Sequence, residues 1–250
     1  MKILINGYLG HMGREVAKLC EAGYRGCEAA CGVDQFEDMS GAVPCYAGFG
    51  NVETAADCVV DFSHHACTES LLAYCKAKSL PLVLATTGQT DAERAAIAEA
   101  AKEIPLFFAA NYSLGVALLI ELAKKTAAAM PDAEIEIIEK HHDRKLDAPS
   151  GTALAIANAL CEVRPNATVV TGRSGFGKRT PTEIGIHAIR MGNIVGEHEV
   201  IIGTPNQTIT LKHEAHDRAL FAEGALAAAE FLCKGKSAGL YNMTDLVAKN

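Results

Sequence analysis

The sequence lacks most of the features that would place it in a class at once. No apolar run reaches the ~18 residues that a membrane span needs. There is no basic tail or stripe, and the 250 residues carry a net charge of −7, from 23 basic and 30 acidic side chains. Duplex DNA and anionic membrane are therefore disfavoured as main partners. No Cys-x-x-Cys pair occurs and the cysteine count is odd, at nine, which argues against a disulfide framework and a structural zinc ribbon. Free cysteines in apolar segments act as small buried hydrophobes, a usage that fits a reducing cytoplasm. His-Glu-x-x-His is missing, and adjacent histidines rarely point at one centre, so no metal is expected. His213 and His216, near a strand end, read as structural. Met1–Gly7 leads straight into a strand pattern, which does not read as a signal peptide. Internal repeats and low-complexity tracts are also missing.

What is present is an ordinary globular composition, 49% apolar and 21% charged. The length suits one large domain or two small ones. Over the first ~110 residues, apolar runs alternate with helical patterns. Strands are expected at Lys2–Asn6, Cys27–Val33, Asp57–Phe62, Pro81–Ala85 and Leu106–Ala110. Helices are expected over Glu15–Cys20, up to Lys78, and over Asp91–Lys102. The strands are continuous apolar runs, as in a parallel sheet covered on both faces. This predicts an α/β fold with a Rossmann-type doubly wound parallel sheet. Gln35–Asn51 is Gly-rich and aperiodic and reads as a loop.

The pattern changes after Asn111. A long helix is expected over Leu114–Met130, a half-exposed strand over Glu134–Lys140, and a helix over Gly151–Leu160. Val163–Thr182 reads as a long loop. Strand-like runs at Ile184–Arg190, Glu199–Ile202 and Thr208–Lys212 predict a second, open mixed sheet. The Ala-rich helix Arg218–Phe231 resumes the composition of the first half. The division expected is therefore a dinucleotide-binding domain of 1–113 and 217–250, with a smaller substrate domain of 114–216 between them.

Two segments carry chemistry. Gly7-Tyr8-Leu9-Gly10-His11-Met12-Gly13 follows the first strand and opens a helix, a variant of the dinucleotide fingerprint. Its glycines permit a tight turn close to a pyrophosphate, and the helix start favours negative charge. Asp34 closes the second strand, where an acid can accept hydrogen bonds from ribose hydroxyls. Thr86-Thr87-Gly88 and Asn111-Tyr112-Ser113 end two further strands on the same edge. The other segment runs from Glu139 to Ala153 and holds His141, His142, Lys145 and Ser150. Ser150 as N-cap would leave the N–H groups of Gly151 and Thr152 for an anion, with Lys145 adding positive charge. A carboxylate or phosphate site beside a histidine able to donate a proton is the natural inference.

Glu139-x-His141-His142-x-x-Lys145-x-Asp147-Ala148-Pro149-Ser150-Gly151-Thr152-Ala153 closely resembles the signature of the bacterial dihydrodipicolinate (4-hydroxy-tetrahydrodipicolinate) reductase family. The resemblance extends along the chain, through Ala109–Ser113, Gly196-Glu197-His198 and Phe221–Leu226. It implies an NAD(P)H-dependent reductase of diaminopimelate and lysine biosynthesis. Hydride would pass from the nicotinamide to C4 of a cyclic dicarboxylate, with loss of water. It implies His141 as proton donor paired with Lys145, and His142, Lys145, Ser150, Gly151 and Thr152 as contacts to the substrate carboxylates. Gly7, Tyr8, Leu9, Gly10, His11, Met12, Asp34, Ala85, Thr86, Thr87, Ala109, Ala110, Asn111 and Tyr112 match the dinucleotide contacts. Two positions depart from the family: His11 is often Arg or Lys there, and Ala85 often Gly. With Asp34 and no nearby cation, NADH is the expected cofactor, with NADPH accepted. The resemblance further implies a cytoplasmic homotetramer inhibited by pyridine-2,6-dicarboxylate. Two rivals remain. An amino-dicarboxylate dehydrogenase of the aspartate type would share the Gly loop without the His-His-x-x-Lys signature. A non-catalytic NAD(H) redox sensor would need a basic DNA-reading helix.

Overall fold

The computed structural model describes residues 1–248, so positions 249 and 250 of the expected first domain lie outside the described residues. The chain divides into two compact units. One comprises Met1–Ser113 and the segment from Ala219 onward; the other is Leu114–Arg218.

The first unit is a seven-stranded parallel sheet in the order β12-β6-β5-β4-β1-β2-β3. Its strands are β1 (Lys2–Asn6), β2 (Glu28–Asp34), β3 (Cys45–Ala47), β4 (Cys58–Asp61), β5 (Leu82–Leu84), β6 (Pro105–Phe108) and β12 (Gly239–Tyr241). The continuous apolar runs of the sequence become strands buried on both faces: Ile3, Leu4, Ile5, Val59, Val60, Leu82, Val83 and Leu84 are fully buried. Helices α1 (His11–Glu21), α2 (Thr68–Lys78), α3 (Asp91–Ala100) and α6 (Ala219–Cys233) belong to this unit, with the short α7 (Met243–Val247). Pairing switches sides between β1 and β4, and at such a switch the carboxyl ends of the strands leave a crevice. The expected loop Gln35–Asn51 contains β3, a three-residue edge strand too short to show a period.

The second unit is a five-stranded mixed sheet ordered β11-β10-β7-β9-β8. Its strands are β7 (Glu134–His141), β8 (Thr168–Thr171), β9 (Glu183–Arg190), β10 (Gly196–Thr204) and β11 (Gln207–Ala215). β8 lies within the stretch expected to be an unbroken loop; it is four residues long and pairs with β9 only. Helices α4 (Leu114–Ala129) and α5 (Gly151–Val163) supply Leu119, Ala123, Ile156, Ala157 and Leu160 to a core with Ile135, Ile137, Ile184, Ile186, Val200 and Ile202. Alternation puts these strand residues on one face only. Among the described residues no helix is long and apolar enough to cross a membrane, and no group of side chains could hold a metal ion.

Candidate active site

In the first unit the loop after β1 turns tightly, with the Gly10 N–H donating to the Gly7 carbonyl at 3.1 Å. A Cβ at Gly13 would lie 2.1 Å from that carbonyl oxygen, so only glycine lets α1 start this close to the turn. Gly10 caps α1 without a side-chain hydrogen bond, and the first turn holds no acid. By contrast Thr90 and Glu93 form a capping box on α3. The start of α1, where Gly10 and His11 are exposed, thus keeps the positive end of its dipole for an outside anion. Asp34 sits at the end of β2; its carboxylate accepts from the Leu9 N–H at 2.9 Å and the Gln35 N–H at 2.7 Å. It braces the glycine loop.

Beside this loop, Asp61 at the end of β4 is buried and accepts from Asn6 Nδ2 at 2.7 Å and Ser63 Oγ at 2.6 Å. Burial raises its pKa, and these donors offset part of the rise. Ala85 and Thr86 follow β5; Thr86 is buried and Thr87 exposed. Ala109 and Ala110 follow β6, and Asn111 Oδ1 accepts from the Ser113 N–H at 2.8 Å. The Tyr112 side chain points inward. Its hydroxyl donates to the Leu84 carbonyl at 2.8 Å and lies 3.1 Å from that of Phe107, so the phenol ties the sheet together. Tyr8, Leu9 and Met12 are half-buried around the turn.

In the second unit β7 carries the site. Its inward set is Ile135, Ile137, Glu139 and His141, so a carboxylate and an imidazole continue the face that the isoleucines begin. Glu139 Oε2 lies 2.6 Å from His141 Nδ1, and Oε1 accepts from the Ser150 N–H at 2.9 Å. Arg190, paired with His141 across the β7–β9 ladder, places its two terminal nitrogens 2.8 and 2.7 Å from the two oxygens. Burial pushes the Glu139 carboxyl up, but Arg190, His141 and the Ser150 amide hold it below the usual range. From β10, opposite Glu139, His198 brings its Nε2 to 3.1 Å from Ser150 Oγ. Burial, then the neighbouring His141, pushes His198 down to about 4, so it is neutral at pH 7.

Ser150 caps α5 as expected, accepting from the Ala153 N–H at 3.1 Å. Lys145 Nζ is 2.9 Å from Asp147 Oδ1, and the Gly151 amide also helps to hold the Asp147 carboxyl low. A carboxylate of the chain itself therefore lies against the two groups expected to hold an anion. Thr152 is half-buried one residue into the helix. His142 donates its amide to the Ile194 carbonyl at 2.8 Å, while its Nδ1 is buried with no partner. Burial, then the nearby Arg144, Arg218 and Lys145 charges, lowers its pKa. The structure thus brings His141, His142, Lys145, Ser150, Gly151 and Thr152 together at one end of β7 and α5. It adds Arg190 and His198, to which the sequence assigned no role, and gives Glu139 one. The signal for Glu139 was present: in Ile137-Ile138-Glu139 the alternation slips, which turns a glutamate toward the core.

Residues 1–112 match the family model described as "Dihydrodipicolinate reductase, N-terminus", and residues 115–247 match "Dihydrodipicolinate reductase, C-terminus". The chain is 45% identical over 251 residues to the 4-hydroxy-tetrahydrodipicolinate reductase of Caldanaerobacter subterraneus subsp. tengcongensis, covering 100% of this chain and 99% of that protein. It is 42% identical over 248 residues to that of Clostridium novyi, covering 98% of each. Among solved structures it resembles the dipicolinate-bound dihydrodipicolinate reductase from Paenisporosarcina sp. TG-14, with a TM-score of 0.81, 25% identity and 97% of each chain covered. With both family models matched and full-length relatives at this identity, the chain belongs to the dihydrodipicolinate reductase family.

Proposed function

We propose that this chain catalyses the reduction of 4-hydroxy-tetrahydrodipicolinate to tetrahydrodipicolinate with loss of water, in diaminopimelate and lysine biosynthesis. The strongest support within the molecule is the convergence of His141, Lys145 and the start of α5 at one end of β7. When bound, a reduced nicotinamide nucleotide supplies the hydride. The residues of the first unit fit such a group: α1 has no side-chain cap, Gly13 lets the turn approach closely, and Asp34 stands at the end of β2. Gly7, Tyr8, Leu9, Gly10, His11 and Met12 would hold the pyrophosphate. Ala85–Thr87 and Ala109–Asn111 would line the remainder. Tyr112, whose phenol is bonded inside the sheet, would contribute through its main chain.

In the second unit Lys145, His142, Ser150 and the Gly151 and Thr152 amides would take the two carboxylates. A substrate carboxylate would replace Asp147 at Lys145, so the exchange is charge for charge. His141 would deliver the proton that balances hydride addition. Asp34 favours the two ribose hydroxyls of NADH and repels a 2′-phosphate. Gln35–Asn51 contains no Lys or Arg to offset that repulsion. NADH is therefore the preferred cofactor, and NADPH is accepted. We also expect a cytoplasmic homotetramer. Its support is the five-stranded sheet, whose core lies on the α4/α5 face while the other face carries Glu136, His187 and Arg179.

The test is oxidation of NADH and of NADPH by the purified protein with freshly prepared cyclic substrate, with pyridine-2,6-dicarboxylate as competitor. We expect turnover with both, higher kcat/KM with NADH, and competition by the dicarboxylate. Asp34→Ala should narrow the cofactor preference. His141→Gln should lower kcat by about 10²-fold, the usual scale for a general acid. No turnover with either cofactor, or full turnover in His141→Gln, would overturn the assignment.

A further inference from the structure

Glu139 is completely buried, and an ionised carboxylate in such a place is costly unless its oxygens are satisfied. The account here is complete. Oε1 accepts from the Ser150 N–H at 2.9 Å and Arg190 Nη2 at 2.7 Å. Oε2 accepts from Arg190 Nη1 at 2.8 Å and stands 2.6 Å from His141 Nδ1. Arg190 engages the carboxylate as a two-pronged fork, the geometry that fixes its plane as well as its charge. The same guanidinium reaches the Asp147 carbonyl at 2.6 Å, which ties the fork to the loop that carries Lys145.

An ionised carboxylate has no proton to give, so the short contact requires His141 Nδ1 to be the donor. In the imidazolium form, the proton that His141 can release is then the one on Nε2, and its release leaves the neutral ring protonated at Nδ1. Nε2 lies over Gly196 on β10, where a Cβ would come within 3.1 Å of it. The His198 ring meets the imidazole edge-on, with centroids 5.2 Å apart. The ring is thus held at Nδ1 and packed at its side, and only Nε2 is left without a hydrogen-bonding role inside the unit.

We infer that Glu139, braced by Arg190, is a positioning residue: it keeps the His141 proton on Nδ1 and so assigns proton delivery to Nε2. The inference rests on the reading of His141 as proton donor. A glutamate retained only as a buried ion-pair partner for Arg190 would need no imidazole at 2.6 Å.

Two measurements on the full-length protein test it. The first is ¹⁵N NMR of His141, assigned by its loss in His141→Gln, at a pH where the ring is neutral. The wild type should show Nδ1 protonated and Nε2 as the bare nitrogen. Finding the proton on Nε2 would overturn the inference whatever the kinetics show. The second is Glu139→Gln, which keeps the size and an acceptor for Ser150 but sets an amide NH₂ against the ring or the fork. We expect kcat to fall about 10²-fold, KM and pyridine-2,6-dicarboxylate affinity to stay within about threefold, and the neutral ring to move its proton to Nε2. Unchanged kcat in Glu139→Gln, beside a defective His141→Gln, would also overturn it. Normal turnover in His141→Gln would instead remove the parent reading and leave the tautomer result standing. Should Glu139→Gln fail to fold, the wild-type tautomer alone decides.

Discussion

His198 shows how burial of one side chain sets a property of the folded chain. It is 4% exposed, its pKa is pushed down to about 4, and its Nδ1 has no partner. In the unfolded chain a histidine titrates near 6.5. Between about 6.5 and about 4 the unfolded chain binds a proton that the folded chain refuses, so stability falls as pH drops across that window. The expected loss from this residue between pH 7 and pH 5 is about 2 kcal/mol. Urea unfolding at the two pH values, in wild type and His198→Gln, measures it; equal losses in the two proteins would assign the acid sensitivity elsewhere. The residues that the sequence revealed and those it hid differ in a simple way. His141, His142, Lys145 and Ser150 lie within one short run, so their chemistry could be read together. Arg190 and His198 reach Glu139 and His141 only because β7 pairs with β9 on one side and β10 on the other. No local pattern in the sequence encodes that lateral register.

At the scale of elements, legibility followed length. The long helices α4 and α5 and the core strands lie where their periods put them, to within a few residues. β3, β8 and β12 went unseen because strands of three or four residues at sheet edges hold no full repeat. α6 was legible as a helix, but how closely it packs was not. Ala222, Gly224, Ala225, Leu226, Ala227, Ala228 and Ala229 are all buried, because small side chains let this helix lie close to its surroundings. The tightest point is Gly224, where a Cβ would stand 1.7 Å from the Tyr112 carbonyl oxygen. That obstacle is main chain in the segment between β6 and α4 and cannot swing aside. Gly224→Ala should therefore cost at least ~2 kcal/mol, as overpacking does in a filled core. Gly50→Ala, where a Cβ would meet nothing within 4 Å, is the matched control. Equal melting temperatures for the two variants would contradict the packing described.

At the scale of the whole molecule, the two-unit division has a consequence for the order in which the protein can be made. The parallel sheet is interrupted in sequence: Leu114–Arg218 forms a unit of its own before α6 and β12 are reached. Within the first unit α6 packs on α1, β4 and β6, Arg25 meets Glu230 at 2.6 Å, and β12 pairs with β6. On the ribosome, residues 1–113 emerge first yet must wait for the last segment to cover their sheet. The inserted unit has every strand and both helices as soon as Arg218 is out. Domains fold as units during synthesis, so the later-made middle should finish before the earlier-made beginning. Nascent chains arrested with Arg218 just outside the exit tunnel would show it by hydrogen exchange. Amides of β7, β9 and β10 should be protected there and those of β1 and β4 not, whereas protection of β1 and β4 at that length would reverse the order. The N-terminal portion of the nucleotide-binding unit, Met1–Ser113, is thus the part of a growing chain exposed longest to chaperones and proteases.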